Sequence, residues 1–134
     1  MKYAYRNIQK VNDRELNSFY DNLNTTYKNK INKIIVPLKK KQSIVGLMLL
    51  NDLLNSEYNM NLNDLKIKYN KYGKPYIECK DIFFNISHSF NYVICAISDK
   101  EIGVDIEKIR NTNIKNIKWF ATTKEQEYIM KSKS

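Results

Sequence analysis

Glycine and proline are scarce in this 134-residue chain, three of one and two of the other, so no flexible linker or low-complexity spacer stands out to divide it. Apolar runs are short as well. None approaches the ~20 residues that a membrane-spanning helix needs, and the N-terminus MKYAYRNIQK lacks the apolar core of a secretion signal. A cytoplasmic protein with no membrane partner is therefore expected. The two cysteines, Cys79 and Cys95, have no C-x-x-C spacing, and the single histidine leaves nothing to complete a zinc site. Both thiols lie in apolar, strand-like surroundings and are expected to be buried and free.

Acid is the other shortage. Lys and Arg total 23 against 14 Asp and Glu, a net charge of +9, which favours an anionic partner: nucleic acid, an anionic cofactor or an acidic protein. The excess is concentrated in KNKINKIIVPLKKK, residues 28 to 41, with six lysines (Lys28, Lys30, Lys33, Lys39, Lys40, Lys41) and no acid. With 43% hydrophobic residues and this length, one globular domain burying roughly two thirds of its unfolded surface is expected.

Residues 2 to 8 alternate loosely and suggest a first strand. Asn12, with Glu15 three residues on, has the form of a capping box ahead of Leu16, Phe19, Tyr20 and Leu23 at helical spacing. A second helix is expected from Thr25 or Thr26 to about Ile35, ended by Pro37. The third and longest spans residues 39 to 58, where Ile44, Leu47, Met48, Leu50, Leu53 and Leu54 form an apolar stripe wide enough to be core. The period changes after Asn61. LKIKY, PYIEC, DIFFNIS, YVICAIS and EIGVDIE are short runs rich in β-branched and aromatic residues between polar turns, and they predict an antiparallel meander from 65 to 107. NTNIKNIKWF and a segment capped at Thr122 or Thr123 then read as helices, with Trp119, Phe120, Tyr128 and Ile129 on an apolar face. The fold class is α+β, an antiparallel meander packed on a long helix.

Three stretches offer chemistry. In GVDIE, a strand places Asp105 and Glu107 on one face, about 6.5 to 7 Å apart, the minimum carboxylate pair for a hard cation such as Mg²⁺ shared with phosphate oxygens. An ordinary half-exposed strand is the plain alternative. In FNISHS, Ser87, His88 and Ser89 bring two hydroxyls and an imidazole to a strand-to-turn junction, a set suited to an anion. A satisfied structural histidine is the alternative here, and a Ser-His nucleophile is disfavoured because neighbours on a strand point to opposite faces and no orienting acid is evident. In KYGKP, Gly73 permits a turn and Lys74 before Pro75 is biased to extended backbone, leaving the turn's backbone polar groups free for a ligand. The alternative is a plain hairpin.

GKP, then FNISHS, then a strand and GVDIE, then WFATTKE, together resemble the 4′-phosphopantetheinyl transferases of the surfactin-synthetase-activating type. The pattern of that family runs GKP, F-N-[IL]-S-H-S, G-[IV]-D-[IVL]-E, an aromatic F-F-x-x-x-E segment and W-x-x-K-E. The first four parts occur here in register, and KKKQSIVGLMLLNDLL sits where the family has its long N-terminal helix. The resemblance implies transfer of the 4′-phosphopantetheine arm of coenzyme A to a serine of an acidic acyl or peptidyl carrier protein, in fatty-acid, polyketide or nonribosomal peptide synthesis. It implies two similar α+β lobes with coenzyme A in the cleft between them: here an N-terminal lobe, 1–99, and the opening strand and helices of an incomplete second lobe, 100–134. Asp105 and Glu107 would be Mg²⁺ ligands beside the pyrophosphate. Ser87 and His88 would grip the 3′-phosphate, and the backbone at Lys74 and Pro75 would border the adenine. Lys30 and Ser43 align with a phosphate-contacting lysine and hydroxyl, while Tyr27, with Lys28 beside it, stands at another family lysine.

One part is missing. Trp119, Lys124 and Glu125 have the spacing W-x₄-K-E, and the register from Asp105 puts Glu125 on the acid of the F-F-x-x-x-E segment. The W-x-x-K-E motif, source of a third metal ligand and the general base, is thus expected beyond Ser134, and no catalytic base is assigned within the chain. Alone, such a chain is expected to bind coenzyme A weakly, with a homodimer as one way to replace the missing lobe. The competing readings are a basic nucleic-acid-binding module, prompted by the charge and ten tyrosines, and a non-catalytic interaction remnant.

Overall fold

A computed structural model describes residues 2–78, 80–89 and 91–99. The expected strand at GVDIE, the helices after it and the whole of 100–134 lie outside the described residues, as does Cys79. Among the described residues five strands and three helices are formed: β1 (Lys2–Asn7), α1 (Asp13–Asp21), α2 (Thr25–Asn32), α3 (Pro37–Tyr58), β2 (Ile67–Tyr69), β3 (Pro75–Ile77), β4 (Ile82–Ser89) and β5 (Tyr92–Ser98). Short 3₁₀ turns at Ile8–Lys10 and Leu62–Asp64 bracket the helical section.

The sheet is antiparallel throughout, in the order β1-β5-β4-β3-β2. From β2 to β5 it is the expected meander. The strand at residues 2 to 7 then adds to the far side of β5, from Lys2 opposite Ile97 to Asn7 opposite Tyr92. β5 thereby becomes an interior strand, and all seven of its residues are buried, as its continuous apolar run suits. Cys95 is fully buried in it, and burial pushes its thiol well above the ordinary range, so it behaves as a small core hydrophobe.

Asn12 caps α1 by accepting from the Glu15 amide at 2.8 Å. The Glu15 carboxylate, which a full capping box would fold back on the cap, pairs instead with Arg6 of β1 and pins α1 to the sheet. Asn24 caps α2 in the same way, accepting from the Tyr27 amide at 3.0 Å. That helix stops at Asn32, short of the expected Ile35. The Ile34 amide closes a tight turn onto the Ile31 carbonyl, and three successive β-branched residues, Ile34 to Val36, follow, the last of them extended ahead of Pro37. Pro37 opens α3 two residues before the expected start, at the one helical position where its missing N–H costs nothing. At the other end Asn59 takes the left-handed conformation, φ 54°, and turns the chain out of the helix.

α3 is the spine of the core. It packs on β5, β1 and β4 and receives α1 and α2 on its flanks. The expected stripe is buried or partly buried at every position, and Val45, Gly46 and Leu49 are buried with it. Gly46 lets helix and sheet touch: a Cβ there would lie 2.6 Å from Cγ2 of Ile86 on β4. Among the described residues no helix is long and apolar enough to cross a membrane.

Candidate functional site

Two cavities of about 340 Å³ each adjoin along α3, sharing Ser43 and Ile86. The first lies among α2, α3, the β2–β3 hairpin and β4, and its walls include Tyr27, Lys30, Tyr69, Pro75 and Phe84. The second lies between the start of α3 and the end of β4, walled by Lys39, Gln42, Ser87 and His88. Lys30, Ser43, Pro75, Ser87 and His88, five of the six candidate ligand-binding residues in this region, are thus gathered from α2, α3, β3 and β4.

Strand alternation divides the FNISHS pair. His88 stands opposite Val93, a member of the core that α3 covers, whereas Ser87 stands opposite Ile94 and points to the other face. His88 is exposed at the strand end and Ser87 is buried. The imidazole is therefore the side chain of the two that lies on the α3 side.

Lys30 is one of three lysines, with Lys66 and Lys68, on a further cavity of about 310 Å³ that shares Tyr27 and Ile67 with the first. Its ammonium sits 5.2 Å from the centre of the Tyr69 ring. Tyr69 is the residue that sequence reasoning missed as part of the site. The signal was faint: an exposed aromatic on a short edge strand, outside every motif. Tyr27 is almost wholly buried, and its hydroxyl donates to the Leu65 carbonyl at 2.7 Å. Burial, with a smaller push from Tyr69, raises its ionisation to about 12. Tyr27 is thus a tie between α2 and the segment entering β2. Lys28 beside it lies over the Tyr20 ring, 5.6 Å from its centre.

The GKP turn departs from expectation. Asn70 fastens it from inside: its side-chain oxygen accepts from the Tyr72 and Lys74 amides at 2.9 and 3.0 Å. Its amide donates to the Lys74 carbonyl at 2.9 Å, and its carbonyl accepts from Gly73, whose φ is +80°. The backbone polar groups of Lys74, expected to be free, are thus bonded within the turn, because an Asx side chain closes such a turn on itself. Pro75, held at its exit, still walls the first cavity.

A roomier cavity of about 390 Å³ between α1 and α3 is a different kind of feature. Its asparagines stitch the chain: Asn51 accepts from the Leu62 amide at 2.9 Å, and Asn63 donates to the Asn22 carbonyl at 2.6 Å. Asp105 and Glu107, the expected metal pair, lie outside the described residues.

A single antiparallel lobe built on one long helix, with a lysine, a hydroxyl and an imidazole around adjoining clefts, defines an α+β module with the chemistry of an anion cradle. The family model described as 4′-phosphopantetheinyl transferase, N-terminal, matches residues 10–100, and the chain belongs to that family. Among curated proteins it is similar to the 4′-phosphopantetheinyl transferase gsp of Aneurinibacillus migulanus, 40% identical over 88 residues, which is 66% of this chain and 36% of the relative. It is also similar to the 4′-phosphopantetheinyl transferase Sfp of Bacillus subtilis (strain 168), 33% identical over 94 residues, 69% of this chain and 42% of the relative. The matched region thus spans less than half the length of either relative. The fold is that of the N-terminal lobe of the family.

Proposed function

We propose that this chain provides the coenzyme A-binding N-terminal lobe of a 4′-phosphopantetheinyl transferase, the enzyme that moves the phosphopantetheine arm of coenzyme A to a carrier-protein serine. The observation that carries this reading is the convergence of Lys30, Ser43, Pro75, Ser87 and His88 on two adjoining clefts. Lys30, the His88 imidazole and the Ser43 hydroxyl hold the 3′-phosphate through charge-assisted hydrogen bonds, while Ser87, its side chain turned to the other face of the sheet, serves the cleft only as wall. Pro75 and the turn at Lys74 border the adenine. Asp105 and Glu107, two carboxylates with the donor chemistry of a hard-cation site, would hold Mg²⁺. When bound, such an ion would supply neutralisation of the phosphate charge.

In the reaction the carrier serine oxygen bonds to the β-phosphorus, the bridging P–O bond breaks, and adenosine 3′,5′-bisphosphate leaves. The hydroxyl proton goes to a general base that the sequence through Ser134 does not supply in a W-x-x-K-E segment. A cytoplasmic setting and an acidic carrier suit the +9 charge, which attracts both partners.

The test compares coenzyme A with 3′-dephospho-coenzyme A in thermal unfolding. Coenzyme A at ten times its Kd stabilises by about 1.4 kcal/mol, a shift of several degrees for a domain of this size. The dephospho compound is expected to shift Tm less. His88→Ala should weaken coenzyme A binding roughly tenfold, as the loss of one charge-assisted hydrogen bond does, and leave the dephospho compound unaffected. A melting temperature unmoved by millimolar coenzyme A would sink the proposal.

A further inference from the structure

The segment between α2 and the body of α3 exposes more apolar surface than its surroundings account for. Ile35 is 92% exposed, Val36 48% and Leu38 54%. Lys33, Lys39, Lys40 and Lys41 frame them, and no Asp or Glu occurs from residue 22 to residue 51. The local physics runs against stability here. α1 and α2 are capped by asparagine side chains, whereas Val36 caps α3 with none, and three lysines occupy its first turns with no acid among them. Each such cation near the positive end of a helix dipole is unfavourable. An apolar knob ringed by uncompensated lysines is complementary to a surface of the opposite make-up: an apolar spot ringed by carboxylates.

We infer that Ile35, Val36 and Leu38, with the surrounding lysines, form the docking surface for the acidic carrier protein. This inference rests on the transferase reading above. Position distinguishes a protein occupant from an anionic lipid surface, which the same chemistry would suit. Lys39, directly after Leu38, walls the cleft that also holds Ser43 and His88, and Leu38 precedes Ser43 by about 7–8 Å along the helix. An acidic partner seated on the knob therefore lies beside the cleft where the 3′-phosphate is held, next to its co-substrate coenzyme A. A membrane has no use for that adjacency. The three apolar side chains make a small contact, in keeping with a partner that must leave after each turnover.

The probe is a fluorescently labelled apo-acyl carrier protein of fatty-acid synthesis, followed by anisotropy against the 134-residue chain. Binding is expected, and Ile35→Asp combined with Leu38→Asp should weaken it at least tenfold. Stability of the free protein and its thermal response to coenzyme A should stay as in the parent. Carrier binding that ignores these substitutions, or fails to occur, overturns the inference. So does a drop of several degrees in the Tm of the free variant, since that reveals the segment as covered by its own chain. Ile35-dependent sedimentation with phosphatidylglycerol vesicles, without carrier binding, overturns it in favour of a lipid surface. If coenzyme A is also not bound, the transferase reading fails with it; if coenzyme A binds and carrier binding is indifferent to the knob, only the docking surface fails.

Discussion

Lys30 reaches the cleft from a helix with little else to fix a long, flexible side chain. Its resting place over the Tyr69 ring, at 5.2 Å, supplies that constraint, because the ring face attracts a cation by about 0.5–1 kcal/mol at an exposed site. Tyr69→Ala should therefore weaken coenzyme A binding a few-fold by freeing Lys30, while Tyr69→Phe, which keeps the ring, should restore it; calorimetric titration of both variants decides the matter. A merely structural tyrosine would show loss of stability without that rescue. Tyr27 is the structural case. Its hydroxyl proton is held to about 12 by burial, whereas an unfolded tyrosine releases it near 10. Between those values the unfolded chain loses a proton that the folded chain keeps, so stability is intact below pH 10 and falls as the pH rises toward 12. Tyr27→Phe should remove that contribution to the alkaline decline, and at neutral pH it should cost about 1 kcal/mol for the lost bond to the Leu65 carbonyl. Urea unfolding at several pH values reads both effects.

At the scale of elements, the seating of α3 on β4 sets the shape of both clefts, because Ile86 lines each of them and lies under Gly46. Gly46→Ala puts a methyl 2.6 Å from a branch carbon of Ile86 that no end-of-chain torsion can swing aside. Helix and strand must part, at a cost of about 1–3 kcal/mol for overpacking, against the half to one kcal/mol that replacing a mid-helix glycine normally gains. Urea unfolding should show net destabilisation, and a more stable variant would refute the close approach. Sequence alone reads Gly46 only as a weak spot in a helix, since its role depends on a strand forty residues away. The same boundary separates what was legible from what was not. The α3 stripe and the β2 to β5 meander are periodic patterns within one segment, and they could be read directly. The pairing of β1 with β5 joins the two ends of the lobe and leaves no local mark. The short end of α2 turns on three consecutive β-branched residues, and the closure of the GKP turn depends on Asn70, which lies outside the motif. Of the candidate site, the residues carried by compact motifs or by resemblance were legible, whereas Tyr69 acquires meaning only through the helix lysine that folds over it.

For the whole molecule, the proposed roles assign the two charged ends of one ligand to different parts of the chain. The 3′-phosphate falls to Lys30, Ser43 and His88 of the described lobe. The pyrophosphate falls to Asp105 and Glu107, two carboxylates spaced i, i+2 in GVDIE. Groups that bind separate parts of a ligand and share no partner contribute nearly additively, to within about 0.5 kcal/mol. His88→Ala should therefore lower coenzyme A affinity by the same factor with Mg²⁺ or without it. The Asp105→Ala, Glu107→Ala pair should behave differently, abolishing the gain on adding Mg²⁺ while leaving metal-free affinity unchanged or slightly raised, because two negative charges beside an unneutralised pyrophosphate repel it. Combining all three substitutions should reproduce the sum of the two effects in calorimetric titrations of coenzyme A. If the carboxylate variant keeps its Mg²⁺ response, the metal is held elsewhere and the assignment of Asp105 and Glu107 falls. If His88→Ala erases the Mg²⁺ response, the two ends are coupled through one site, and the division of labour between the N-terminal lobe and GVDIE is wrong.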